Sequence, residues 1–125
     1  MNAYLLVAVG GAIGSVGRFA LAGLIDGRWV GDFPVGTLVV NVVGSFLIGL
    51  IAGLTDHKPT QQFLMTGILG GFTTFSSFSL QTVRLVEDGR LLPAGGYVLA
   101  SVALCLLGTF LGLLAARALG RGAQS

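Results

Sequence analysis

The chain has 125 residues, 54% of them hydrophobic and 10% charged, and its mean hydropathy is +0.90. Soluble domains carry about 25% charged residues, so this chain cannot furnish an ordinary hydrated surface. Its length alone excludes an enzyme with separate cofactor and substrate domains. The composition is that of an integral membrane protein.

Charged side chains are absent from residues 33–55, 59–83 and 91–116, and Arg18 is the only one within residues 1–25. A helix needs about 20 mostly apolar residues to cross the hydrocarbon core. Four spans are therefore expected, over about 4–25, 36–54, 63–86 and 95–114, forming one transmembrane domain over residues 1–125. The fold class is all-α. Turn-forming and charged residues fill the connectors 26–34, 55–59 and 87–93.

The first span lacks a basic leader and is too long for a signal-peptide core, so it reads as a membrane helix. Gly10 and Gly14 lie four apart on it, the small-residue spacing that lets helices approach closely in lipid. Gly49 and Gly53, and Gly108 and Gly112, repeat that spacing in the second and fourth spans. The chain holds 21 glycines where ordinary usage gives about nine. Packing within one bundle explains some of them. Four short helices cannot both pack together and enclose a polar path, so a homo-oligomer, most simply a dimer, is expected.

On the second span Thr37, Asn41 and Ser45 recur every four residues, along one helical face. His57, between Asp56 and Lys58 in the next connector, reads as a solvated side chain rather than a metal ligand or base. The third span carries Gly70-Gly71-Phe72-Thr73-Thr74-Phe75-Ser76-Ser77-Phe78-Ser79, built from weak helix formers. Broken backbone at membrane depth is tolerated where it is buried in protein or lines a cavity. Carbonyls released by such a break can coordinate a cation. Phe75 and Phe78 share a face if the helix resumes there. Two such rings usually pack; beside a polar break their electropositive edges can instead stabilise a small anion.

The fourth span repeats the polar pattern with Tyr97, Ser101, Cys105 and Thr109. One isolated hydroxyl is commonly interhelical glue. Two aligned rows in so small a protein point to a water- or ion-lined track. Cys105, alone at mid-span, forms no internal disulfide. Residues 120–125 read as a short frayed tail.

Lys58, Arg117 and Arg121 fall on the side of the amino terminus. Arg28, Arg84 and Arg90 fall on the other, with Arg18 near the end of the first helix. So even a balance leaves the positive-inside rule almost nothing to act on. It admits either a weakly determined single orientation or insertion both ways with antiparallel pairing. The net charge of +2 comes from a few groups at helix ends and makes no nucleic-acid footprint. No Asp or Glu lies inside a span, so the carboxylate that proton-coupled export of cations normally needs is missing. Nor does any base stand ready to activate a serine nucleophile, and the chain does not read as an enzyme.

Three motifs now stand in order. They are Gly10-Gly11-Ala12-Ile13-Gly14-Ser15-Val16-Gly17-Arg18-Phe19, then Pro34-Val35-Gly36-Thr37-Leu38-Val39-Val40-Asn41-Val42-Val43-Gly44-Ser45-Phe46, then the Gly-Gly-Phe-Thr-Thr-Phe run beginning at Gly70. Together they resemble the Fluc/CrcB fluoride channel family, and the likeness covers essentially the whole chain. It implies an antiparallel, dual-topology homodimer in the bacterial cytoplasmic (inner) membrane, with two pathways passively exporting fluoride. It also implies a structural sodium ion at the dimer centre, held by the backbone carbonyls of Gly70 and Thr73 from both subunits. By the same likeness Asn41 matches the pore asparagine, Phe75 and Phe78 the rings whose edges face fluoride, and Arg18 the basic residue near the vestibule. Tyr97, Ser101 and Cys105 fall on the family's polar track, where Cys105 replaces an expected hydroxyl; Thr37 joins Asn41 in the ion pathway through its hydroxyl row. The rival readings are a small dual-topology multidrug or cation exporter, which should carry a glutamate in its first helix, and a non-conducting structural subunit.

Overall fold

The computed structural model describes residues 2–29, 31 and 33–124, with side chains described as far as Gly120. The Arg121 side chain, counted above among the basic groups, lies outside the described residues. The secondary structure is helical. Helix α1 spans Ala3–Arg28, opened by Asn2, whose Oδ1 accepts the Leu5 N–H at 2.8 Å. Helix α2 spans Val35–Leu54. Its own cap residue, Pro34, offers no side chain to the first turn; Asp26 of α1 does so instead, accepting the Gly36 N–H at 2.8 Å. A carboxylate there satisfies an orphan donor and meets the positive end of the helix dipole.

The third crossing, Lys58–Glu87, is a composite. A turn of α-helix, α3 (Lys58–Gln61), leads into a π-helical stretch, Gln62–Leu69, and then α4 (Gly70–Phe72). The backbone is extended at Thr73 and Thr74 before α5 (Phe75–Glu87) resumes. The glycine pair thus stays helical, and the break falls on the two β-branched threonines that follow it. Helix α6 begins at Leu91 and runs to Gln124, beyond the Gly120 at which the hydropathy pattern fades. Among the described residues, four helices are therefore long and apolar enough to cross a membrane, as the charge-free stretches predict.

Packing is arranged around two backbone-to-backbone contacts. Gly10 and Gly14 of α1 lie against the π-helical stretch so closely that a Cβ on either would strike the Phe63 or Ile68 carbonyl. Gly49 and Gly53 of α2 interlock with Gly108 and Gly112 of α6, where added Cβ atoms would meet the Thr109 carbonyl, the Ala116 side chain and the Phe46 carbonyl. All three small-residue pairs therefore serve packing within the chain itself. Few apolar side chains are buried; one cluster of Leu85, Ala94 and Tyr97, with Phe33, Leu38 and Phe78 against it, ties α5 to α6 and to the start of α2. The many exposed Leu, Val and Phe side chains are the expected surface of a bundle solvated by lipid.

Candidate functional site

The break in the third crossing is held open from α2. Asn41 Nδ2 donates to the Thr74 carbonyl at 3.1 Å, while the Thr74 N–H donates to Asn41 Oδ1 at 2.8 Å. A primary amide carries a donor and an acceptor side by side, so it can meet the N–H and the C=O of one residue at once, and the pairing fixes which way it points. One N–H of Asn41 Nδ2 remains beyond that pair. The Thr74 hydroxyl then accepts the Ser77 N–H at 3.2 Å and caps α5. Just before the break the Thr73 hydroxyl folds back to donate to the Leu69 carbonyl at 3.0 Å.

Arg18 serves the same break from the other side, its Nε donating to the Gly71 carbonyl at 3.1 Å. That corrects its expected place near the end of the first helix. α1 continues to Arg28, so Arg18 sits ten residues, or about 15 Å, short of the end. The positive charge meets the carbonyl end of a half-helix, where a cation is favoured.

Beside the break lies a cavity of about 430 Å³, bounded by α2, the third crossing and α6. Asn41 and Ser45 line it from α2, Gly70, Thr73, Phe75 and Phe78 from the third crossing, and Ser101 and Cys105 from α6. No charged side chain is among its lining residues. The Ser101 hydroxyl is buried and has no hydrogen-bond partner among the described residues. A buried, unpaired hydroxyl costs about 1–3 kcal/mol unless something polar enters to meet it. The cavity is open where Gly70 and Phe75 are exposed; the Phe75 ring is 78% exposed.

Tyr97, Thr37 and Thr109 lie around that cavity rather than in its wall. Tyr97 is fully buried, and its hydroxyl donates to Gln81 Oε1 at 2.8 Å. Thr37, buried on α2, lies beside the same phenol. Thr109, expected to extend the fourth-span row, instead donates to the Ser45 carbonyl at 3.0 Å and binds α6 to α2. Cys105 is half-buried and faces the cavity.

Two features escaped the sequence reading. A second hollow of about 320 Å³, at the end of the bundle where α1, α2 and α5 meet, is lined by Asp26, Trp29, Phe33, Gln81, Arg84 and Asp88, among others. Four aromatic rings connect it to the first. Phe33 meets Tyr97 edge-on at 5.5 Å, Tyr97 meets Phe78 at 5.1 Å, and Phe78 meets Phe75 at 5.5 Å. Gln81, an amide in an apolar span, was the available signal for this connection.

The clamped helix break thus stands beside an uncharged, mostly apolar cavity into which a few polar side chains are set. The pattern of the family described as "CrcB-like protein, Camphor Resistance (CrcB)" matches residues 5–113. The chain belongs to the CrcB-like family. Similar proteins named fluoride-specific ion channel FluC include one from Opitutus terrae, 55% identical over 93% of both chains. The FluC of Geobacter sulfurreducens is 52% identical, covering 95% of this chain and all of its own. That of Paramagnetospirillum magneticum is 51% identical, covering 97% and 100%. Membership of the CrcB-like family identifies the protein as a transport protein rather than an enzyme.

Proposed function

We propose that the chain is a subunit of a fluoride-selective channel that lets fluoride leave the cytoplasm passively. The observation that carries the reading is the Ser101 hydroxyl, buried in the wall of an uncharged cavity with no partner of its own among the described residues. Fluoride is small and strongly hydrated, so a path for it must replace water with closely set donors. Ser101, the remaining N–H of Asn41 and the electropositive edges of Phe75 and Phe78 are such donors. None is a fixed positive charge that would trap the ion, and conduction needs release as much as entry. Cys105 adds a weak donor on the same wall. Arg18, Thr37 and Tyr97 act from behind the wall, on the break and on the ring between the two hollows. The lining residues include no carboxylate of the kind a proton-coupled cation exporter would use.

The same reading includes a second copy. The open side of the cavity and the exposed Phe75 suit closure by an antiparallel partner, and the even distribution of basic residues suits insertion both ways. Its place is the bacterial inner membrane. A reporter fused to the carboxyl tail should then be detected on both faces of that membrane; a signal confined to one face would refute dual topology. The reading also includes a structural sodium ion at the subunit interface. The carbonyls of Gly70 and Thr73 fit it, being neutral oxygens beside the break whose usual helical donors are engaged elsewhere. Bound there, sodium would supply charge to hold the facing breaks together.

The test is efflux from liposomes, followed with a fluoride electrode and with chloride run in parallel. Rapid efflux of fluoride alone, requiring a potassium ionophore to shunt charge, is the expected result. Its absence from a folded, reconstituted protein would overturn the function.

A further inference from the structure

In an uninterrupted helix the Thr74 N–H would donate to the Gly70 carbonyl and the Ser77 N–H to that of Thr73, each four residues back. Neither does. The Thr74 N–H is taken by Asn41 Oδ1 and the Ser77 N–H by the Thr74 hydroxyl. The neighbouring carbonyls are occupied: Gly71 accepts Arg18 Nε, and Leu69 accepts both the N–H and the hydroxyl of Thr73. The two carbonyls proposed for sodium are thus released by two identifiable side-chain bonds. The one that frees Gly70 comes from another helix, 33 residues away in sequence.

We infer that Asn41 is a positioning residue for the cation site, keeping the Gly70 carbonyl free by withholding from it the Thr74 N–H. This inference rests on the sodium reading above. The Thr74 N–H lies at membrane depth, where a donor must find an acceptor or suffer the full cost of desolvation. Without the Asn41 oxygen, the nearest acceptor by helical register is the Gly70 carbonyl. The break would then mend at the expense of the cation ligand. The second bond of the clamp, from Asn41 Nδ2 to the Thr74 carbonyl, holds the following peptide unit, so both peptides flanking Thr74 are fixed by one side chain. The side chain also borders the cavity with its remaining N–H, so one amide links the cation platform to the anion path.

The test melts the purified protein in sodium and in N-methylglucamine at equal ionic strength, with fluoride efflux measured on the same samples. Wild-type protein should melt higher in sodium. Asn41→Leu removes both bonds, and its sodium response should shift to concentrations about tenfold higher or disappear. Asn41→Asp keeps an oxygen for the Thr74 N–H, so it should retain the sodium response while its fixed negative charge lowers fluoride efflux. A purely structural role would depress melting equally in both cations and would not separate these variants. A wild-type sodium response in folded Asn41→Leu overturns the inference. If Asn41→Leu does not fold, Asn41→Asp decides, and loss of its sodium response overturns it equally. No sodium response in wild-type protein would overturn the cation site and this role together, with fluoride conduction judged separately by the efflux.

Discussion

Replacing Phe75 or Phe78 with isoleucine should cut fluoride efflux by about a hundredfold, the factor set by a barrier raised by about 2.7 kcal/mol. The substitution keeps apolar bulk and removes the ring, and with it the positive edge that can face an anion. Phe75 is 78% exposed in the subunit, so its replacement removes little packing within the chain. Phe78 packs between Phe75 and Tyr97 and against the Leu85 cluster, so its loss should cost about 1–2 kcal/mol of stability. Both variants should therefore purify as folded protein with slow flux. Efflux at the wild-type rate from both would remove the rings from the ion path.

Gly14→Ala should be the most damaging small substitution in α1, lowering stability by about 3 kcal/mol or more. The added methyl would strike the Ile68 carbonyl and lie 2.9 Å from the Phe72 nitrogen. Those neighbours are backbone, and they lead directly into the break. Relief would require α1 to back away from the π-helical stretch, which would also pull Arg18 from the Gly71 carbonyl. Gly23→Ala on the same helix is the control, since a Cβ there meets nothing within 4 Å. Thermal melting should separate the two sharply. A wild-type melting curve for Gly14→Ala would show that the helices do not approach so closely in the assembled protein.

The four crossings were legible because charge is so rare: three gaps without a charged residue, and a fourth containing one, leave little choice of span. The broken third helix was legible too, since two glycines followed by threonines and serines is poor helix chemistry. Its site was less so. Helical propensity favours interruption at the glycines, but Asn41 rewards an open peptide at Thr74, and that partner is 33 residues away. Arg18 was placed too near the end of α1 because hydropathy falls at Asp26 while the helix persists to Arg28. The π-helical stretch has no pattern that separates it from an α-helix of the same residues. Of the hydroxyl rows, Ser101 reaches the cavity, while Thr37 and Thr109 turn to neighbours that only the folded bundle reveals.

The open side of the cavity has a consequence for a cell that makes this chain. With Gly70 and Phe75 exposed at its mouth, a single copy would, on the antiparallel pairing proposed above, offer an ion half a wall and lipid for the rest. An anion stripped of water gains too little from half a wall to enter. Surplus or unpaired copies would therefore be electrically silent, and the membrane would stay tight while the protein accumulates.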